Sequence, residues 1–223
     1  MASIITRTIN GEVDQRLVLS GEQCGRTMSI GSNWTMLRLG VRFSINRTSA
    51  YTAPPTLFAG ICSGTSEMYA DGTTKHFIGV RSNASNWGYA TGYLSPANNS
   101  FVMFKKVGTT RTDSSLQTLS NAAWIGSSPT YRGSIIIDFT KNNGTFVEVK
   151  FYISMLNQWD NTDAIFTNIM QSFVAPSSTH TTMASSNITV DEATNGYFDT
   201  INVGWLGITE GMEISDIAYS RLV

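Results

Sequence analysis

The chain predicts an all-β fold, with strands stacked into a sandwich or barrel. Three observations carry this. Apolar residues recur with a period of two along most of the 223 residues. The apolar runs are short and punctuated by Asn, Asp and Gly turns. Only 14% of residues are charged, against roughly 25% in an average domain, and the Ala/Glu/Lys/Leu bias of helical bundles is missing.

The elements follow in order. Residues 4–9, 16–20 and 26–30 read as strands, with Asn10-Gly11 between the first two. Residues 34–46 alternate most clearly. Leu37, Leu39, Val41, Phe43 and Ile45 share one face, and Arg38, Arg42 and Ser44 share the other. Residues 56–62, 76–82, 87–94 and 101–107 are four further strands, with Asp71-Gly72 and Asn98-Asn99 as turn signals. Residues 132–140 and 145–155 form a hairpin joined by Lys141-Asn142-Asn143-Gly144, since Asn and Gly both tolerate positive φ. In its second strand Val147, Val149, Phe151 and Ile153 form the core face, with Phe146 out of phase and Glu148, Lys150 and Tyr152 opposite. Residues 162–173 break the pattern. Ile165, Phe166, Ile169, Met170 and Phe173 line one face of a helix, with Thr162 as N-cap and Asp163 in the first turn. Residues 182–190, 197–207 and 212–222 complete the set. No linker or repeat divides the chain, so residues 1–223 read as one domain, with 1–10 as an N-terminal arm or edge strand.

Composition narrows the function classes. Ser, Thr and Asn together supply 69 of 223 residues, filling surface that Lys and Glu usually occupy. The 15 Lys+Arg and 16 Asp+Glu leave a net charge of −1 with no basic run, which excludes a basic nucleic-acid footprint. At 41% hydrophobic and 11% aromatic residues, disorder is excluded. No stretch approaches the ~18 apolar residues of a membrane helix. The start, Met1-Ala2-Ser3-Ile4-Ile5-Thr6-Arg7, lacks a charged region followed by an apolar one, so no secretory signal is expected. Six Asn-x-Ser/Thr triplets are what chance gives in such a composition. Cys24 and Cys62 lie outside any Cys-x-x-Cys pair and read as free buried thiols.

The closing segment, Gly211-Met212-Glu213-Ile214-Ser215-Asp216-Ile217-Ala218-Tyr219-Ser220-Arg221-Leu222, resembles the last strand of concanavalin A-like jelly rolls of the laminin-G and pentraxin kind. The strand over residues 37–45 and the hairpin over 134–153 resemble other strands of that family. The resemblance implies a two-sheet antiparallel jelly-roll sandwich with Greek-key connections. Such domains bind sugars, hydrolyse glycans or serve as structural modules. The low charge and abundant Ser, Thr and Asn resemble virion structural proteins of tailed phages.

Candidate chemistry is sparse. Glycosidases of this fold pair carboxylates on alternate strand positions. Glu12-Val13-Asp14-Gln15-Arg16 matches only in part and sits by a turn, while Glu210, Glu213 and Asp216 alternate faces. His76 and His180 have no nucleophile at hand. Asn157-Gln158-Trp159-Asp160-Asn161-Thr162-Asp163 gathers hard oxygens in a loop. Asn157, Asp160 and Asp163 are therefore candidate calcium ligands, with helix capping as the competing role. Trp87, Tyr89 and Tyr93 share one parity on the 87–94 strand and could stack on sugar rings, with a core or subunit-contact role as the competing reading.

These readings combine into an expectation. The chain is a non-enzymatic structural or adhesive protein of a homo-oligomeric assembly, a phage virion component assembled in the host cytoplasm. It has no catalytic residues and no cofactor beyond an optional calcium ion. Its partners are itself, other virion proteins and surface glycans, not nucleic acid or membrane. The alternatives are a carbohydrate-binding, lectin-like module and a glycan hydrolase or lyase.

Overall fold

The fold was read from a computed structural model, which describes residues 2–9, 12–19, 23–46, 56–63, 77–82, 89–90, 93–94, 100–107, 110–113, 117–118, 130–154, 159–173, 181–186, 190–206 and 212–223. The strands are β1 (Ala2–Ile9), β2 (Glu12–Leu19), β3 (Gln23–Ser29), β4 (Met36–Asn46), β5 (Thr56–Ser63), β6 (Phe77–Ser82), β7 (Tyr89–Ala90), β8 (Tyr93–Leu94), β9 (Ser100–Val107), β10 (Thr110–Asp113), β11 (Gln117–Thr118), β12 (Thr130–Asn142), β13 (Thr145–Ser154), β14 (Thr181–Ser186), β15 (Val190–Asp191), β16 (Phe198–Leu206) and β17 (Met212–Leu222). The helices are α1 (Trp159–Ser172) and α2 (Glu192–Asn195).

Two antiparallel sheets form a jelly-roll sandwich. The first runs β1-β2-β17-β4-β12-β13-β14, with β15 also on β13. The second runs β10-β9-β6-β5-β16-β3, with β11 on β9. The last two strands fill central places. β17 lies between β2 and β4, and β16 between β3 and β5, so both ends of the sequence are needed to close each sheet. Leu37, Leu39, Val41, Phe43, Ile135, Ile137, Phe139, Val149 and Phe151 of the first sheet meet Leu57, Ala59, Ile61, Ile78, Val80, Ile201 and Val203 of the second in one core. Each Val, Leu, Ile or Phe side chain among them contributes about 1.5–3 kcal/mol by leaving water.

The structure refines several expectations. β12 runs through Lys141 and Asn142, so the hairpin turn is only Asn143-Gly144, with φ of 50° and 79°. Those are the two positive values that a tight hairpin turn needs. The register shifts after Thr140: Lys141 faces Phe146 while Thr140 faces Glu148. The extra residue reverses parity, which returns Phe146 to the core at 0% exposure instead of out of phase. The expected 87–94 strand is instead two short strands, β7 and β8, paired with each other. α1 begins at Trp159, three residues before the expected cap, and ends at Ser172, with Phe173 at φ 52°. Thr162 is therefore inside the helix.

Gly60 and Gly79 face each other across β5 and β6. A Cβ on Gly60 would stand 2.6 Å from Phe77 Cζ and overlap the Ile78 carbonyl oxygen. The Phe77 ring thus takes the space that two side chains would fill.

Candidate functional site

Each sheet has an outer face, and the two differ in kind. On the first sheet, alternation sends Arg38, Gly40 and Arg42 of β4 outward. Register aligns Ser220, Arg38, Asp138 and Lys150 across four strands. Arg38 donates from Nε and Nη2 to the two carboxylate oxygens of Asp138, both at 2.6 Å, and the pair is buried. This two-pronged geometry lets a guanidinium and a carboxylate be buried together.

A further donor of that guanidinium serves the helix. Arg38 Nη1 donates to the Ile169 carbonyl at 2.8 Å, and Ser220 Oγ to the Met170 carbonyl at 2.5 Å. These carbonyls belong to the last turn of α1, which has no intrahelical partners for them and carries partial negative charge. Phe166 and Met170 press onto Ile136, Tyr152 and Ala218. They do so because Gly40 leaves room: a Cβ there would stand 2.7 Å from Phe166 Cζ. Arg42 pairs with Asp216 and lies 5.0 Å from the Phe166 ring centroid. Burial, with the Asp138 charge nearby, raises the Tyr152 phenol above its ordinary pKa. The hydrogen bond from Lys150 to Glu148, at 2.9 Å, raises the Lys150 ammonium likewise. α1 thus covers the Arg38–Asp138 part of this face, where Arg38, Arg42 and Lys150 are each paired with a carboxylate.

A second buried charge pair fastens the end of the sandwich. Lys141 Nζ lies 3.1 Å from both Glu192 carboxylate oxygens, 2.9 Å from the Ser32 carbonyl and 3.8 Å from the Trp34 ring centroid. Glu192 also accepts from the Phe198 backbone N–H at 3.1 Å. Trp34, Phe146 and Phe198 pack edge to face beside it. Sequence reasoning placed Lys141 in a turn and missed this cluster. The signal that could have found it is a lysine directly before an Asn-Asn-Gly run, where strand alternation still applies.

The second sheet presents its outer face through the residues that alternate with the core: Phe58, Gly60 and Cys62 of β5, Phe77 and Gly79 of β6, and Thr200 and Asn202 of β16. All are buried, and Cys62 is not in a disulfide. Following the same parity outward, Arg81 stands opposite Phe58 and Val102, and Lys106 opposite Phe77. On the next strand Arg111 stands directly opposite Lys106. Like charges on one antiparallel rung repel. Asp113, opposite Phe104, shares the parity one alternate position along. Lys106 and Arg111 thus occupy facing positions on neighbouring strands about 4.8 Å apart, and Arg81 follows on β6.

The residues expected to form sites fall differently. Trp87 and Asn157 lie outside the described residues, as do His76, His180 and Glu210. Tyr89 pairs with Leu94 and Tyr93 with Ala90. The two tyrosines are thus on separate short strands. Asp160 and Asp163 are in the first turns of α1, not in a loop. Among the described residues no group of three or more His, Cys, Asp or Glu could hold a metal ion, and none forms a helix long and apolar enough to cross a membrane.

No protein-family model matches the chain. No curated protein matches it either. Solved structures do. An alginate lyase in complex with an alginate trisaccharide is 10% identical, covers 98% of this chain and 85% of its own, and superposes with a TM-score of 0.50. An alginate lyase from Aplysia kurodai is 10% identical over 98% and 87%, with a TM-score of 0.47. Lectin I-B4 from Griffonia simplicifolia, in its metal-free form, is 10% identical over 100% and 93%, with a TM-score of 0.44. At these identities the likeness is one of fold, the expected jelly roll.

The likeness to a lyase overturns the leading expectation of a non-enzymatic virion component. The physical reason lies in the clue itself. A surface rich in Ser, Thr and Asn and poor in charge suits repeated subunit packing, but it equally suits hydrogen bonding to sugar hydroxyls. Composition could not separate the two, and the inference that the protein is not an enzyme fell with it.

Proposed function

We propose that the chain handles an acidic polysaccharide on the outer face of its second sheet and cleaves it as a lyase. The observation that carries this reading is the Lys106–Arg111 rung, two cations set opposite each other with Arg81 on the same parity. A uronate carboxylate on that rung would relieve the repulsion. It would also receive the charge stabilisation that β-elimination needs. In that reaction a base takes the C5 proton, the electron pair forms the C4–C5 double bond, the C4–O4 bond breaks, and O4 takes a proton. Cations on the carboxylate stabilise the carbanion that develops at C5. The fold shared with an alginate lyase supports the reading.

The test is affinity electrophoresis through alginate and through a neutral glucan, with ultraviolet detection of unsaturated uronate ends. Retardation by alginate alone, weakened by salt, is expected. Lys106→Gln with Arg111→Gln should weaken it by roughly tenfold or more, the worth of charge-assisted hydrogen bonds. Equal retardation of the variant, or none by any uronate polymer, would sink the proposal. Retardation with no unsaturated product would remove the lyase step and leave recognition.

A further inference from the structure

We infer that Tyr197 and the amides around it form a second, uncharged subsite, which takes the rings and hydroxyls of the same polysaccharide at the end of the second sheet. The inference rests on the proposed reading of the Lys106–Arg111 rung as a uronate site and extends the bound chain beyond it. One buried charge pair assembles the surface. Lys141 Nζ donates to the Ser32 carbonyl as well as to Glu192. The Glu192 N–H donates to the Gly144 carbonyl at 3.0 Å, and the Glu192 carbonyl accepts from the Gly196 N–H at 2.8 Å. The Glu192 carboxylate accepts from the Phe198 N–H. Residues 31–33, the turn at 143–144 and residues 196–198 are thereby fastened to one pair before any ligand arrives, which lowers the ordering cost of binding.

What these segments expose is uncharged. Ser32, Asn33, Asn142, Asn143 and Tyr197 are exposed, and the exposed residues 31–33, 142–143, 193–194 and 196–197 include no Asp, Glu, Lys or Arg. Arg221, next to Gly31, is engaged with the Ile30 carbonyl. Tyr197 is 63% exposed, yet its backbone is held on both sides, through Gly196 and Phe198. An exposed ring on a fixed backbone presents a flat apolar face to the C–H face of a sugar. Amide side chains both donate and accept hydrogen bonds, as sugar hydroxyls do. Register places this surface at the same end of the sheet as the cations. Thr200 stands opposite Ser29 and Cys62, Cys62 opposite Phe77, Phe77 opposite Lys106, and Lys106 opposite Arg111. Tyr197 stands three residues before Thr200. Three strand spacings separate β16 from β9, about 14 Å, so an oligosaccharide several units long reaches both places.

The experiment is affinity electrophoresis through alginate at low and high salt, for the wild type, Tyr197→Ala, Tyr197→Trp, Asn33→Ala and Lys106→Gln with Arg111→Gln. Tyr197→Ala should weaken retardation roughly tenfold, the worth of a stacked ring, and should remove most of the part that survives high salt. Tyr197→Trp should keep both. Asn33→Ala, on a different loop, should weaken retardation several-fold. Alginate oligosaccharides should bind more tightly once they are long enough to span the two places, in the wild type but not in Tyr197→Ala. Thermal midpoints equal to that of the wild type would show that the exposed positions are not needed for folding. Retardation of Tyr197→Ala and Asn33→Ala equal to that of the wild type would overturn the inference and leave the rung as the whole site. Loss of retardation in Tyr197→Ala, with none in the Lys106 and Arg111 variant, would instead overturn the rung and support the surface. A wild type that alginate does not retard would overturn both.

Discussion

Tyr152 shows how one residue records what its face has become. Its ring sits under α1 beside the Arg38–Asp138 pair, and it is 3% exposed. Burial favours the neutral phenol, and the Asp138 charge adds to that, so the folded protein holds this proton more tightly than the unfolded chain. The stabilisation is complete below the ordinary phenol value of about 10 and is lost as pH rises through the higher folded value. Lys150 is shifted in the same direction by its bond to Glu148, but it is partly exposed and salt screens it. Chemical unfolding followed against pH should therefore show stability falling above about pH 10. Added salt should leave most of that fall in place, and Tyr152→Phe should flatten it. A fall that salt abolishes would assign it to Lys150.

α1 is held by a charge pair that belongs to the sheet, so its docking and the pair's burial are one event. Asp138→Ala leaves the Arg38 guanidinium buried without its carboxylate, which costs about 3–5 kcal/mol. Arg38→Met combined with Asp138→Leu removes both charges and should recover most of that loss in urea unfolding. The carbonyls of Ile169 and Met170 then keep only the Ser220 bond. A double variant as unstable as the single one would mean that the pair's worth lies in holding α1. Elements of this kind were unevenly legible in the sequence. β4, β12 and β13 could be read because one face of each is core, so alternation is written into Leu37, Leu39, Val41 and Phe43. α1 was legible from its buried stripe, but not its first turn, where Asp160, Asn161 and Thr162 are polar and only Trp159, seven residues before Phe166, continues the spacing. β10, with the sequence Thr-Arg-Thr-Asp, carries no apolar alternation, and only pairing with β9 makes it a strand. For that reason the Lys106–Arg111 rung was invisible. Over residues 87–94 one strand was expected, where β7 and β8 are two short strands paired with each other.

At the scale of the molecule, the sandwich divides its surfaces by what each strand position can spare. The first sheet packs α1 on its outer face. The second sheet carries Arg81, Lys106 and Arg111 toward its opposite limit from β3, on β6, β9 and β10. The Arg38–Asp138 pair and the proposed glycan rung are thus on different sheets and share no strand. Residues far apart without shared partners act independently, with couplings of roughly 0.3–0.5 kcal/mol or less. Lys106→Gln with Arg111→Gln should then weaken retardation by alginate roughly tenfold or more and leave the urea midpoint where it was. Asp138→Ala should do the reverse, lowering the midpoint while the folded protein keeps its retardation. If Lys106→Gln with Arg111→Gln lowered the midpoint as far as Asp138→Ala does, the two cations would be part of the packing, and the assignment of the rung to glycan would fail.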